Sequence, residues 1–196
     1  MTFNQLTEAA LRQFALNGYE GTSLSSIASE VGIKKQSIYT YFKSKEELFV
    51  HSFNDSLSCE LYFIEHFFQG TNRTLPIENL LYKFLIEYLD RYERNFNTSF
   101  FIRTSYFPPQ QLRELIVRDS YQITNNLECL LETLFKEKEH LLNSQFSADT
   151  ATAAYLTILD GLFVEMLYGG RSERLDKRIS STWNVFWQGI NGSKRA

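Results

Sequence analysis

The residues with the clearest chemical potential form a polar string between positions 35 and 41. Its members are basic or hydrogen-bonding side chains: Lys35, Gln36, Ser37, Tyr39, Thr40 and Tyr41. Amines, amides, hydroxyls and phenols are groups that proteins use on the phosphate oxygens and base edges of DNA. Ile38 and Phe42 interrupt the string four residues apart, the spacing of one helix face. The pattern therefore indicates a helix that exposes DNA-binding groups and buries two apolar side chains.

A second short helix precedes the string and would position it. Its apolar residues recur at helical spacing: Leu24, Ile27, Ala28 and Val31. Ala28, Gly32 at plus four and Ile38 at plus ten have the spacing of a helix-turn-helix: small residue, turn glycine, inward aliphatic residue. Glycine adopts the left-handed conformation of such a turn without steric cost. Taken alone, this spacing also fits a pair of capped surface helices, and the polar string is what favours DNA binding.

The segment that follows predicts a third helix with a basic start. Ser44-Lys45-Glu46-Glu47 has the form of a capping box, in which Ser44 accepts from the Glu47 amide and the Glu47 carboxylate reaches back to Ser44. A helix N-terminus with a lysine beside it suits a phosphate group. The net charge of the chain is −3, so the basic surface is local and comprises a group of lysines: Lys34, Lys35, Lys43 and Lys45.

These segments, FALNGYEGTSLSSIASEVG from Phe14 and IYTYFKSKEELF from Ile38, resemble the TetR family of transcriptional repressors over about residues 3 to 50. The resemblance implies an all-helical homodimer with an N-terminal operator-binding domain and a C-terminal inducer-binding domain. It implies DNA contacts at eight positions: Thr22, Ser23, Lys35, Gln36, Ser37, Tyr39, Tyr41 and Lys45. The basic and outward-facing pattern adds two further candidates: Lys34 and Thr40.

Three residues depart from the pattern of the family. Lys34 stands where a serine or threonine usually caps the recognition helix, Gln36 replaces a small residue, and Tyr41 replaces a common histidine. Glutamine can bond adenine with two hydrogen bonds. Gln36 is therefore the candidate base-contacting residue.

The remaining pattern predicts an all-α fold with two domains. Residues 1–47 are expected to form the helix-turn-helix DNA-binding domain, and residues 48–196 a helical domain for effector binding and dimerisation. A first helix is expected to end near Asn17-Gly18. Ser172 would cap the last helix, whose apolar face carries Leu175, Ile179, Trp183, Phe186 and Ile190. Apart from the first helix and the helix-turn-helix, apolar spacing and turn signals predict helices over six segments: 45–68, 76–94, 96–107, 112–138, 147–170 and 172–190. Pro108-Pro109 would end the third of these helices. The tail, residues 192–196, is expected to fray.

The effector pocket follows mainly from the resemblance, which implies a small hydrophobic or amphipathic inducer. A mostly apolar cavity with a few polar groups would suit such a molecule. The candidate lining residues are aromatic or polar: Phe63, His66, Phe67, Tyr88, Phe100, Arg103, Tyr106, Phe107, Tyr121 and Asn125. For each aromatic residue alone, packing in the core is the simpler role, and Arg103 and His66 fit solvent-facing positions equally well.

The last two helices are the candidate dimer interface. They combine small residues with large ones: Ala154, Ile158, Gly161, Leu162, Glu165, Trp183, Phe186 and Trp187. The two tryptophans and Phe186 are more aromatic surface than one exposed helix should carry. The resemblance implies a four-helix interface built from two helices of each subunit. In the alternative, this surface is covered within one chain.

The predicted function is that of a ligand-responsive transcriptional regulator, a repressor that binds a palindromic operator as a dimer and is released by its inducer. The alternative is a helical adaptor whose helix-turn-helix contacts protein. His51, His66 and His140 lack a catalytic partner motif, and no phosphate loop or metal signature is present. We therefore expect no enzymatic activity, cofactor or metal.

Composition and termini predict a cytoplasmic protein with no membrane partner. The N-terminus lacks a basic start followed by an apolar run, and no stretch was expected to reach the ~20 apolar residues of a membrane helix. Cys59 and Cys129 form no CxxC motif and are predicted to be free, buried thiols.

Overall fold

The computed structural model describes residues 3–192, and this part of the chain contains nine α-helices. They are α1 (Phe3–Gly21), α2 (Leu24–Glu30), α3 (Lys35–Ile38), α4 (Lys45–Phe67), α5 (Ile77–Arg94), α6 (Phe96–Tyr106), α7 (Arg113–Glu137), α8 (Ala148–Gly169) and α9 (Glu173–Ile190). Within residues 3–192 the only β pairing is an isolated bridge between Leu142 and Asn191. The prediction of an all-α fold is confirmed. The predicted fraying concerns residues 192–196, of which 193–196 lie outside the described part.

Internal contacts divide the chain into two compact units. The first unit comprises Met1–Phe63 and Arg91–Ile123, and the second comprises Ile64–Asp90 and Thr124–Ala196. Helices α4, α5 and α7 each contribute residues to both units. The unit that contains the helix-turn-helix is therefore larger than the predicted domain of residues 1–47, since it also takes in α6 and the first part of α7.

An aromatic cluster forms the centre of the first unit. The Phe14 and Phe49 rings meet edge to face with their centroids 4.9 Å apart, and Phe49 meets Phe100 in the same way at 5.2 Å. All three rings are buried. Edge-to-face pairs add roughly 0.5–1.5 kcal/mol to the gain from burial alone. The cluster joins α1, α4 and α6, and so ties the helix before the helix-turn-helix to α6.

Helix α1 has a sharp break near its C-terminal end. Gly18 has φ 70° and ψ −179°, a backbone conformation open almost only to glycine. The sequence predicted the end of the first helix at Asn17-Gly18, and the break lies there. After the break, α1 ends at Gly21, and Thr22 and Ser23 connect it to α2.

The second unit is centred on α8 and α9. The predicted apolar face of α9 is buried: Leu175, Ile179, Trp183, Phe186 and Ile190. Ser172 caps α9 as predicted, because its hydroxyl accepts from the Leu175 amide at 3.3 Å. Tyr155 of α8 is fully buried and donates to the Leu81 carbonyl at 2.7 Å. Burial raises the pKa of the Tyr155 phenol well above its ordinary value.

Helix α8 is long and apolar enough to cross a membrane by length and composition alone. Its most apolar window has a mean hydropathy of 1.3, and 39% of that window is buried. From the sequence, no such segment is expected. A core helix of a soluble protein passes the same test, so the observation raises the question of what covers the exposed side of α8.

The two cysteines differ from the prediction in one respect. Both are free, as predicted, but Cys59 and Cys129 are exposed rather than buried. Each stands on a helix position that the apolar spacing did not place on a buried face. Partial burial still raises the pKa of the Cys59 thiol.

Gly18→Ala is expected to destabilise the first unit by about 1–3 kcal/mol, because an alanine cannot adopt this backbone conformation without strain. The matched control is Gly189→Ala in α9, where an added Cβ meets no atom within 4 Å. Alanine favours helix, so we expect the control to change stability by at most about 1 kcal/mol, in the stabilising direction. Urea unfolding followed by circular dichroism measures both. Equal stabilities for the two variants would contradict the assigned strain.

Candidate nucleic-acid interface and neighbouring cleft

The turn between α2 and α3 has the geometry that the sequence predicted. Gly32 has φ 71°, and the Ile33 amide donates to the Ala28 carbonyl at 2.9 Å. At the start of α2, Ser23 accepts from the Ser26 amide at 3.0 Å, while Ser26 accepts from the Ser23 amide at 3.1 Å. Ser26 thus completes a capping box at a position that usually holds glutamate or glutamine. These bonds set the direction in which the chain enters α3.

Helix α3 exposes most of the predicted DNA-binding residues. Only Lys35–Ile38 form α-helix, and hydrogen-bonded turns carry the chain on to Phe42. Ile38 and Phe42 are buried. The exposed set, which we name the recognition surface, comprises Lys34, Lys35, Gln36, Ser37, Tyr39, Thr40 and Tyr41. Lys34 precedes α3 and its side chain makes no capping hydrogen bond. The expected separation of buried and exposed groups is present over a helix shorter than predicted.

Aromatic contacts hold the end of the recognition surface in place. Phe3 of α1 stacks on Phe42 with centroids 5.6 Å apart and meets the edge of Tyr41 at 5.7 Å. His51 of α4 contacts both phenylalanines, each at 5.3 Å. The Tyr41 ring is thus oriented by α1 while part of it remains exposed.

Two of the residues predicted to contact DNA, Thr22 and Lys45, direct their side chains to main-chain carbonyls instead of to solvent. Thr22 is only 2% exposed, and its hydroxyl lies 2.8 Å from the Gly18 carbonyl and 3.0 Å from that of Gln13. The Lys45 ammonium donates to the carbonyls of Tyr19 at 2.9 Å and Thr22 at 3.2 Å, and lies 4.0 Å above the Tyr19 ring. Both side chains bind the carbonyls where α1 ends. They position the helix-turn-helix. Because the Thr22 hydroxyl is buried and hydrogen-bonded, it is not among the proposed DNA contacts.

A third side chain binds the end of α1 from α6. The Arg103 guanidinium donates to the Ala15 carbonyl at 3.1 Å. We name Thr22, Lys45 and Arg103 the α1 cap. Helix C-termini leave carbonyls without partners and carry a partial negative charge, so cations and hydroxyls at that end are stabilising. The α1 cap joins α1 to α4 and α6 within the first unit.

The acidic residues near α3 are bound by other groups. Glu30, at the end of α2, accepts from Gln13 and pairs with Arg12 at 2.7 Å. The Gln13 hydrogen bond and the neighbouring Arg12 lower the pKa of Glu30. The Glu47 carboxylate accepts from the Lys43 amide, whereas the sequence predicted that it would return to Ser44. These interactions direct both carboxylates to fixed partners, while Lys34, Lys35 and Lys43 are exposed.

A cleft of about 400 Å³ lies beside the α1 cap in the same unit. Its floor is the aromatic cluster of Phe14, Phe49 and Phe100, and the sides are residues 15–20 of α1 and the last part of α6 with Pro109. Tyr19 lines it as well. Burial raises the pKa of the Tyr19 phenol, although a hydrogen bond with Gln111 opposes the rise.

Three of the ten predicted effector residues line this cleft: Phe100, Arg103 and Phe107. Phe67 and Tyr88 are buried in the second unit, where each packs against Phe84. The other five are distributed over helix surfaces or partly buried positions: Phe63, His66, Tyr106, Tyr121 and Asn125. Within the first unit the structure brings three of the ten residues to one cleft, and for the other seven the effector pocket stays a prediction. The sequence shows which residues are aromatic, but it does not show which of them line the same cavity.

A buried polar cluster was missed by the sequence analysis. Glu60 of α4 is fully buried, and one of its carboxylate oxygens accepts from Thr98 at 2.6 Å and from Arg91 at 3.0 Å. The Arg91 guanidinium lies 3.9 Å from the centre of the Phe63 ring. The signal was available, because Glu60 follows Ser52 and Ser56 at intervals of four on the face of α4 that packs inward. This cluster fixes α4, α5 and α6 around one charge pair.

Comparison with known proteins agrees with these features. Residues 6–51 match the family described as "Bacterial regulatory proteins, tetR family". This N-terminal segment of the chain belongs to the TetR family. A curated relative is IcaR of Staphylococcus epidermidis, the negative transcriptional regulator of the biofilm operon icaADBC, with 32% identity over 92 residues. IcaR of Staphylococcus aureus is 31% identical over 86 residues. The matches span 48% and 45% of the two relatives, and 45% and 44% of this chain.

Solved structures of TetR-family regulators resemble the fold of this chain over nearly its whole length. FadR of Bacillus subtilis, solved with stearoyl-CoA, superimposes with a TM-score of 0.70 at 16% identity, covering 97% of this chain and 100% of FadR. A TetR/AcrR-family regulator from Thermobifida fusca gives 0.62 at 22% identity, with 98% of each chain covered. At this identity the likeness establishes the fold alone. Across the described residues of this chain, no group of three or more His, Cys, Asp or Glu could hold a metal ion.

The predicted dimer residues divide into two groups, one buried within the chain and one at its surface. Trp183, Phe186 and Trp187 are buried by contacts inside one chain, where Tyr82 packs on Trp183 at 5.2 Å and Tyr155 on Phe186 at 5.8 Å. Their aromatic surface is therefore covered within one chain, as in the alternative given above, and does not indicate a dimer interface. Two more predicted residues also face inward. Leu162 is buried, and the Glu165 carboxylate pairs with Arg174 at 3.0 Å and Arg178 at 2.8 Å.

An apolar surface does remain exposed on the same two helices. Val185 of α9 is 75% exposed and Tyr168 of α8 is 77% exposed. Together with Ala154, Gly161 and Val164 they define what we name the α8–α9 face. Of the predicted residues, Ala154 and Gly161 belong to it, and Ile158 is half-buried beside them. The residues recur at intervals of three and four along α8, so they share one side of the helix.

Lys45→Ala is expected to lower the stability of the first unit by about 1–3 kcal/mol, since hydrogen bonds from a charged donor to two main-chain carbonyls are lost. Lys43→Ala removes the same charge from an exposed side chain two residues away and should change stability by less than about 0.5 kcal/mol. Thermal unfolding of the two variants measures the difference. A loss no larger for Lys45→Ala than for Lys43→Ala would mean that the ammonium does not support the end of α1.

Proposed function

We propose that this TetR-family chain is a transcriptional repressor that binds a palindromic operator as a dimer and is released by a small hydrophobic or amphipathic inducer. The observation that carries the proposal is the recognition surface, a run of exposed basic, amide and hydroxyl groups on a short helix whose apolar side is buried. The description of IcaR as a negative regulator supports repression rather than activation.

The side chains of the recognition surface divide by chemistry into two roles. Lys34 and Lys35 would neutralise phosphates, together with the exposed Lys43 next to the recognition surface. The affinity that these lysines add falls as salt rises because counterions are released on binding. Gln36 is exposed on α3 and would bond an adenine edge in the major groove. Tyr39, which is 50% exposed, would donate its hydroxyl to a phosphate. Phosphate contacts orient the protein, and Gln36 would supply sequence preference.

Dimerisation would follow from the α8–α9 face. Small residues such as Ala154 and Gly161 allow two helices to approach closely, and Tyr168 and Val185 supply apolar area that a partner would remove from water. A second copy presenting the same face would form a two-fold interface. The exposed apolar side of α8 then needs no membrane to cover it. Two recognition helices related by that axis would meet two half-sites of a palindrome.

Release would be a shift between two populations of the dimer. The inducer-free state would hold the recognition helices at the spacing of successive major grooves, and the inducer would favour a different spacing. A ligand changes this equilibrium only by the difference between its affinities for the two states. FadR of Bacillus subtilis was solved with stearoyl-CoA, which supports an amphipathic ligand for this chain.

Gln36→Ala is expected to remove base preference at one position of each half-site, at a cost of about 1–3 kcal/mol against the preferred base. Tyr39→Phe should instead weaken binding to all sequences equally, because only a phosphate contact is lost. Selection of bound duplexes from a random library, followed by sequencing, measures both effects. An unchanged preference in Gln36→Ala would remove this residue from the base contacts.

Val185→Glu is expected to convert the dimer into a monomer, since a carboxylate would be buried at the centre of an apolar interface. Tyr62→Glu is the control, because Tyr62 is 64% exposed and belongs to the first unit. Sedimentation velocity gives the mass of each variant in solution. Two dimeric variants would show that the chain assembles through another surface.

A further inference from the structure

The cleft beside the α1 cap has features of a small-molecule site within the DNA-binding unit. Its volume of about 400 Å³ lies inside the range of roughly 300–1,000 Å³ of small-molecule sites. The floor consists of buried aromatic rings, and Phe107 forms an exposed wall that is 58% accessible. An aromatic floor with an open mouth suits a ligand whose apolar part is a ring or a short chain.

The polar groups around the cleft determine which head group would fit. Arg103 is the basic residue in its lining. One nitrogen of the guanidinium, Nη1, donates to the Ala15 carbonyl, which holds the planar group at the edge of the cleft. A guanidinium has five N–H donors, and a carboxylate can accept two of them in parallel. Because Arg103 is already oriented by its bond to α1, it would lose little freedom when a carboxylate binds.

Glu20 is the opposing charge in the lining. It is an exposed side chain at the end of α1, where the helix dipole and a carboxylate are both negative. A ligand amine would favour Glu20, and a ligand carboxylate would favour Arg103. The carboxylate is favoured because Arg103 can donate two parallel hydrogen bonds to it and is held in place by its bond to α1. An amine probe therefore tests which of the two charged residues binds the ligand.

We propose that this cleft binds a small amphipathic carboxylate, with the apolar group on Phe100 and Phe107 and the carboxylate on Arg103. This inference deepens the proposed function and rests on it, since the ligand would be the inducer. The occupant would touch α1 and α6 directly. It would therefore act on the helix that supports the helix-turn-helix, without first rearranging the second unit.

A physical route to the DNA-binding residues follows from the α1 cap. A carboxylate that binds other N–H groups of Arg103, while Nη1 stays on the Ala15 carbonyl, attaches the ligand to the side chain that joins α6 to α1 and so alters the α1–α6 contact. Residues 15–20, which line the cleft, include Tyr19, whose carbonyl and ring are held by Lys45. A change at residues 15–20 is thus passed to Thr22 and the start of α2.

The test uses three probes that share a phenylpropyl framework and differ only in the head group: 3-phenylpropionate, 3-phenylpropanol and 3-phenylpropylamine. Isothermal titration of the DNA-free wild-type protein measures each affinity. We expect the acid to bind at least about tenfold more tightly than the alcohol, because it alone accepts charge-assisted hydrogen bonds. An amine that binds as tightly as the acid, or the failure of all three probes to bind, would overturn the proposal.

Variants then place the binding in the cleft. Arg103→Gln should abolish the preference for the acid over the alcohol, and Arg103→Lys should keep part of it. Phe107→Ala should weaken both probes. Arg118→Gln removes a positive charge from an exposed α7 residue of the same unit that does not line the cleft, and should leave both affinities within about twofold. Unchanged acid affinity in both Arg103→Gln and Phe107→Ala would locate the ligand elsewhere and overturn the proposal.

The regulatory effect is measured separately from binding. Saturating 3-phenylpropionate should weaken binding of the wild-type protein to a selected operator duplex at least about fivefold, the lower range of coupling between two sites, and should have no effect on Arg103→Gln. If the protein binds no DNA, the proposed function fails while the titrations still decide the cleft. If DNA binding is normal and the acid binds without weakening it, the assignment of the cleft as the inducer site is overturned.

Discussion

The end of α1 is the constraint on which the first unit depends. A helix that stops leaves several carbonyls without partners, and this one stops at a break that only glycine tolerates well. Thr22, Lys45 and Arg103 bind those carbonyls from the start of α2, from α4 and from α6. The position of α2 relative to α1 is therefore set by hydrogen bonds from side chains to main-chain carbonyls as well as by apolar packing. Since α3 is only one turn long, its direction depends on that support more than on its own stability.

The same contacts explain how a ligand bound in the cleft would affect the DNA-binding surface. Arg103 is at once a member of the α1 cap and a lining residue of the cleft, so that occupancy and helix support involve one side chain. The aromatic cluster of Phe14, Phe49 and Phe100 underlies both. A packed aromatic cluster transmits displacement because it has few voids to absorb it. In this account the sensing and DNA-binding parts are neighbours in one unit, rather than distant sites joined by a long pathway.

Local sequence signals predicted the bounds of the helices well. They did not predict contacts between residues that are far apart in the sequence. Apolar spacing, Gly18, Gly32 and Ser172 placed helix bounds within a few residues, because each acts on its immediate neighbours. Lys45 was expected at a phosphate because its position at a helix start suggests one. Its ammonium instead meets carbonyls that lie 26 and 23 residues earlier in the chain. Trp183 was expected at a dimer interface because no residue near it in sequence would cover its ring. The ring that covers it belongs to Tyr82, which is far away in sequence. Periodicity identifies a buried face but does not identify what buries it.

The central claim is that the recognition surface binds a specific DNA sequence. The most direct measurement is fluorescence anisotropy of labelled duplexes from the region flanking the coding sequence of this protein, titrated with the purified protein over a series of salt concentrations. A shuffled duplex of equal length and composition is the control. The account predicts saturable binding that prefers the flanking sequence and weakens steadily as salt rises. Failure to bind any duplex, even at low salt, would contradict it and would favour a helix-turn-helix that contacts protein.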